Sequence, residues 1–459
     1  MTRPMLRAAA TALIGASALT AVAGCALMAP NRTVSVLATW TGTEGENFRK
    51  VLDAFTDKTG IRYEYTGTRA QDEALQSNLQ RGTPPHVAIL SSTGDLAQYA
   101  RGGDLVPLGE VISPARQADY SRPWLLPLNG EIYTVPIKIN LKSVVWYNPS
   151  RFSGPTPRSW QDLLDRSRAI AGRGQTPWCV GMRATRSSGW PGTDWIEDIL
   201  LHRSGPGTYR RWAAGLLEWT SPEVEEAWKA WGQIMATRGP AREDPMAALL
   251  TDFTDAGSGL FTDPPGCFLE HQASFIVDVY RSDDDAGAGA ASGAAVKPPG
   301  QERNFDFFPF PSFGPGGGDP AEEPVLVSAD LAGMFNDTPE ARRLIEFLAG
   351  EEAQRIWPGR PDGGAFSVNR KVPPTVHHPD DRIGRRIADT LTSAKTVCMD
   401  ASDLMVPAMR DAFNSAALEY LHDPKRLPAL LAELERVRAQ PGPTERERKD
   451  LHDLSCTGR

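Results

Sequence analysis

The 459-residue chain is short of cysteine, with five, and has no surplus of positive charge: 49 Lys and Arg face 57 Asp and Glu, a formal charge of −8. That balance argues against a nucleic-acid binder, whose footprint is a basic face. A mean hydropathy of −0.35 excludes a polytopic membrane protein. Hydrolase signatures are missing as well: GxSxG, HExxH and SxxK with a following KTG do not occur. CxxC and Cys/His zinc spacings are absent, and Asp252, Asp255 and Asp263 do not fit a calcium loop. His377-His378 with Asp380 and Asp381 could hold a metal but reads better as a hydrophilic connector. Gly287–Gly293 looks like a dinucleotide loop only superficially, since no strand precedes it. No metal and no cofactor is therefore expected, while carboxylates are numerous enough that counting leaves a glycosidase pair open. Tryptophan, by contrast, is abundant. There are twelve, seven of them between Trp178 and Trp231.

Length is about three times that of a typical domain, so more than one core is expected. Residues 1–24 read as a targeting segment and leave the fold argument. Arg3 and Arg7 precede Ala8–Ala23, an apolar stretch too short and too alanine-rich for a membrane span. It ends in Val22-Ala23-Gly24-Cys25, which resembles the lipobox of bacterial lipoproteins; the resemblance implies cleavage before Cys25 and a diacylglyceryl group on its thiol. Residues 25–33 would be the tether, on the outer face of the bacterial cell membrane. In that oxidising compartment the other four cysteines are expected to form disulfides, with three pairings open.

Thr33–Trp40, Ile61–Tyr65 and His86–Leu90 read as strands, alternating with helical patterns over Gly45–Thr59, Asp72–Gln80 and Leu96–Arg101. This alternation predicts an open parallel sheet, whose ligands sit at strand carboxyl ends, here Trp40–Glu44 and Ser91–Thr93. A second block carries strands at Ile132–Val135 and Ser143–Tyr147 and a helix at Trp160–Ala171 capped by Ser159. A helix-rich region follows from Trp195 to Met235, whose tryptophans are expected in the core. Ala273–Tyr280 reads as a strand, Ser282–Gly300 as a flexible exposed loop, and Phe305–Phe313 as a strand. Val325–Leu331 leads to a helix at Pro339–Leu348, and after Pro373-Pro374 the chain is expected to be helical to its end.

Several segments occur in a recognisable order. They are Trp40-Thr41-Gly42, Gly103–Leu108, Ser143–Pro149 with Pro157–Trp160, Thr176–Cys179, Gly189–Asp198, Asp263–Cys267 and Gly333–Gly350. Together they resemble the extracellular solute-binding proteins of carbohydrate ABC importers, of the maltose-binding-protein-like group and nearest its α-glucoside-binding branch. The resemblance implies an α/β, two-lobe, periplasmic-binding-protein-like (type II) fold with a hinge and a ligand cleft. Lobe one would hold 34–139 plus 307–372, and lobe two 140–306 plus 373–459. It also implies a carbohydrate ligand, partnership with the permease subunits of an importer, membrane association through the lipid, no nucleic acid, and a monomer. Cys179 with Cys267, as in the α-glucoside branch, and Cys398 with Cys456 would each staple segments of one lobe.

The resemblance maps Tyr280 onto a sugar-stacking position, with Trp190 as the second stacking ring. Asp194, Asp330 and Glu44 would accept sugar hydroxyls, although Asp194 equally suits an N-cap for a helix starting at Trp195. Ser91, Ser92 and Thr93 end the third strand, Lys138 and Asn140 lie at the first crossover, and Trp40, Thr41 and Phe366 complete the expected site.

Overall fold

The computed structural model describes residues 32–128, 130–237, 245–281, 303–314, 316–319, 322–361 and 363–458. The expected leader, Cys25 and the Ser282–Gly300 loop lie outside these residues. Thr33–Arg459 form one unit.

Its first half builds as the alternation predicts. Strand β1 (Thr33–Ala38) pairs in parallel with β2 (Arg62–Gly67) on one side and β3 (Val87–Leu90) on the other. Between them run helices Gly42–Thr59 and Gln71–Gln80, and a third, Thr93–Gly102, follows β3. Phe48, Val51, Leu52 and Phe55 face the core from one stripe of the first helix, which ends at Gly60 in the left-handed conformation glycine takes without penalty. A short hairpin, β4 (Pro127–Leu128) with β5 (Glu131–Ile132), introduces the crossover.

The crossover is made by two long strands buried along their whole length, β6 (Thr134–Leu141) and β10 (Val325–Met334). They pair antiparallel, with an irregularity between Asp330 and Leu331. At that point β10 changes its other neighbour: Leu331–Met334 pair with β3, whereas Val325–Val327 pair with β11 (Thr396–Met399). Strand β12 (Cys456–Gly458) closes the far edge. A separate three-stranded sheet sets β7 (Val144–Tyr147) between β8 (Leu269–His271) and β9 (Asp306–Pro309).

Helix Trp190–Ala213 packs against Pro222–Met235 and Pro407–His422, and Trp160–Ala171 packs against Pro222–Met235. Ser159 caps Trp160–Ala171 in a full capping box with Asp162. Trp178, Trp195, Trp212, Trp219, Trp228 and Trp231 are all buried, as expected for helix packing. Both expected disulfides are present, Cys179–Cys267 and Cys398–Cys456, and the second joins directly opposed residues of β11 and β12.

Three local expectations fail. Ala273–Tyr280 is not a strand; Ile276–Arg281 is helical, because a short apolar run suits either state and here Ile276, Val277 and Tyr280 meet the core at helical spacing. The chain after Pro374 is not all helix, since the short runs at β11 and β12 complete the edge of the large sheet. Asp194 is not an N-cap. The helix starts at Trp190, entered through Gly189 at φ 107, where a side chain would strike the Asn414 carbonyl.

Candidate functional site

A cleft of about 700 Å3 opens where the crossover strands exchange neighbours, at the carboxyl ends of β1 and β3. Ligands of open α/β sheets bind at such a switch point. One wall is aromatic. Trp190, Phe253 and Phe275 are each half-buried, and the Trp190 ring sits edge-on to Phe253 at 5.1 Å and 6.0 Å from Phe275. Phe253 and Phe275 lie 5.9 Å apart, nearly perpendicular. Three rings meeting this way leave flat apolar faces on the cleft.

The rest of the lining is polar and organised by two buried lysines, Lys138 on β6 and Lys142 immediately after its last residue. Lys138, wholly buried, donates to Glu44 Oε1 at 2.6 Å and lies 3.7 Å from Asp278. Burial alone would lower its pKa, but Glu44, Asp278 and Asp330 together hold it above the ordinary value. Lys142 donates to Asp194 at 2.8 Å and to Asp400, with its ammonium 5.6 Å over the Trp190 ring. A single cation cannot ionise all the acids around it. Asp400 is buried, yet Lys142 holds its carboxyl below the usual range. Burial, with Asp400 adding, pushes Asp194 up to about 8. Burial likewise raises Asp330 to about 6, against the pull of Lys138. At neutral pH Asp194 therefore keeps its proton and can donate, whereas Asp330 is mostly ionised and accepts. Asn140 Nδ2 lies 3.4 Å from Asp330, while its Oδ1 has no partner among the described residues.

Of the expected site residues, Trp40, Thr41, Glu44, Ser91, Ser92, Asn140, Trp190, Asp194 and Asp330 border this cleft. Trp40 does so with its ring buried against Phe48 and Trp357. Four do not border it. Tyr280 is 2% exposed, packed among Trp146, Phe261 and Phe305, with its hydroxyl on buried Glu270. The helical turn at Ile276–Arg281 sends it into the core and brings Asp278 and Val279 to the cleft instead. Thr93 is buried, donating to the Asp403 carbonyl at 2.9 Å. Lys138 lies beneath the surface, holding Glu44. Phe366 stacks on His377 at 5.0 Å, and its carbonyl accepts from Ile139 N. The sequence reading missed Phe253, Phe275, Arg69, Asp72 and Arg410. Phe253, between Asp252 and Thr254 in a turn-rich stretch, was the one with a visible signal, an aromatic ring outside any core pattern. Among the described residues no cluster of His, Cys, Asp and Glu could hold a metal ion, and no helix is long and apolar enough to cross a membrane.

Residues 39–355, more than half the chain, match the bacterial extracellular solute-binding protein family. The chain belongs to this family. It is 32% identical over 401 residues to the osmoprotective compounds-binding protein GgtB of Synechocystis sp., covering 85% of this chain and 89% of that one. Over 396 residues it is also 32% identical to the alpha-glucosides-binding periplasmic protein AglE of Rhizobium meliloti, covering 82% and 80%. The fold matches that of the bacterial solute receptor AcbH, described with a preference for β-D-galactopyranose, at a TM-score of 0.70 and 18% identity over 89% of this chain and 97% of that one. The two-lobe, type II α/β architecture follows, and so does the mode of action. As a solute-binding protein the chain captures a solute without transforming it, and is not an enzyme.

Proposed function

We propose that this protein captures a sugar, an α-glucoside or another di- or oligosaccharide, and delivers it to an ABC importer. The observation that carries the reading is that one cleft is lined both by the Trp190–Phe253–Phe275 shelf and by the amide and carboxyl groups of Asn140, Asp194, Asp330 and Glu44. A pyranose has an apolar C–H face and a rim of hydroxyls that both donate and accept, and this pairing of surfaces suits it. The relative named for alpha-glucosides supports the same class. A second reading, a small osmoprotective solute, is favoured by the relative of that name.

In this reading Cys25 carries the lipid after removal of residues 1–24, and the protein works as a monomer beside the permease. The ligand shifts an open–closed equilibrium because only the closed form holds it from both lobes. For the lobes we propose 34–139 with about 330–372, and 140–329 with 373–459. The pairing of Phe307–Pro309 with Val144–Trp146 supports giving 307–329 to lobe two rather than to lobe one. The test is a thermal-shift screen of the purified protein against mono- and disaccharides, glycine betaine and amino acids, since a ligand of the folded state raises the melting temperature. A shift confined to sugars supports the reading. A shift with amino acids or betaine alone overturns it.

A further inference from the structure

We propose that the cleft continues into a side compartment that takes the second unit of a two-unit sugar, and that Asp72 is the residue selecting for that unit. This rests on the sugar-binding reading above. A cavity of about 280 Å3 opens beside the main cleft, and Asp72, Asp95, Ser187 and Arg410 line both. The side compartment adds Gln76, Gln80, Gln98 and Arg186, amides and a guanidinium suited to hydroxyl groups.

The groups at the junction are not equivalent. Arg410 is committed: Nη1 donates to Asp95 Oδ2 at 2.5 Å and to Ser92 Oγ at 3.0 Å, and its other nitrogens reach Asp411. Asp95 is committed through the same pair. Asp72 is not; among the described residues no protein group donates a hydrogen bond to its side chain. Burial, reinforced by Asp95, raises its pKa, and Arg410 and Arg186 act on it only through space. A half-buried carboxylate with unfilled acceptor sites, placed between two cavities, meets the vicinal hydroxyls of a ligand that passes from one to the other. Asp72 comes from the Gln71–Gln80 helix and Arg186 from the Thr185–Ser187 turn of the second block. The second unit is thus held by both halves of the chain, and its recognition is tied to closure.

The experiment is calorimetric titration of the whole protein and of Asp72→Asn with trehalose, sucrose and maltose, each against methyl α-D-glucopyranoside. The wild type should bind at least one disaccharide more tightly than the methyl glucoside. Asp72→Asn should lose about tenfold or more of that preference, the scale of a hydrogen bond to a charged group, while melting as the wild type does. Equal losses on both ligands, no loss on either, or a wild type without preference for any disaccharide would overturn the inference and leave the sugar reading standing. Absence of binding to all four sugars would overturn this inference, whereas the sugar reading itself is decided by the thermal-shift screen.

Discussion

Replacing Tyr280 with alanine should destabilise the protein strongly and leave its ligand affinity in place, whereas Trp190→Ala should cost less stability and weaken binding. Tyr280 is 2% exposed, with Phe261, Phe305 and Trp146 at 5.2, 5.3 and 5.9 Å. Truncating a large buried aromatic costs about 3–5 kcal/mol through lost transfer energy and the cavity left behind. Its hydroxyl is also the partner of Glu270, a buried carboxyl raised to about 8 by burial, and orphaning such a group costs about 1–3 kcal/mol. Tyr280→Phe isolates that second part, and Tyr280→Ala should lose about 4 kcal/mol or more. Trp190 is half-exposed, and its edge contacts with Phe253 and Phe275 are worth about 1–2 kcal/mol of stability. As a stacking ring, however, it should contribute about 1–3 kcal/mol to sugar binding. Urea denaturation without ligand measures the first quantity. Titration with the disaccharide giving the largest thermal shift measures the second. A Tyr280→Ala protein that keeps its denaturation midpoint and loses affinity would refute the placement of this ring in the core.

Lys142→Met should cost about 3–5 kcal/mol, because it leaves the ionised Asp400 buried without its cation. Adding Asp400→Asn should recover part of that loss, and a denaturation midpoint unchanged by Lys142→Met would contradict the assignment. Opening the Cys179–Cys267 bridge by a double alanine substitution releases a loop of 88 residues, worth about 4–5 kcal/mol in the chain-entropy model; a midpoint equal to the wild type's would show that the bridge constrains nothing. Stability should fall as pH rises from 7 to 8.5. Asp194 and Glu270 hold protons up to about 8 in the folded protein, whereas the unfolded chain has released them near pH 4, so the folded state binds more protons across this range. Urea midpoints at several pH values check the slope, and Asp194→Asn should flatten it.

Much of the architecture is written in local pattern. The first βαβ alternation shows in the spacing of Phe48, Val51, Leu52 and Phe55 and in the apolar run ending at Leu90, because helix and strand periods differ and both elements are long enough to declare themselves. Ser159 and Asp162 announce their helix start for the same reason, since a capping box is a contact between residues three apart. Strand-end position alone was enough to nominate Thr41, Glu44, Ser91 and Ser92. The short segments were not legible. Ile276–Arg281 and Thr396–Met399 each fit two states, and only their neighbours decide between them.

The compartment reading, the cysteines available for bridging and the core role of the tryptophan cluster came from the sequence alone, because each depends on residue type and near-neighbour spacing. Which side chains meet in the cleft was decided by tertiary structure. The exchange of β10's partners lies at Asp330, and the fold brings to it Asn140, Asp194 and Glu44 from positions 136 to 286 residues away. One helical turn swings Tyr280 into the core and puts Asp278 in its place. The charge state of the acids was decided there too. A carboxyl's proton affinity is set by burial and by the distance to a lysine, and neither can be read from the order of residues along a chain.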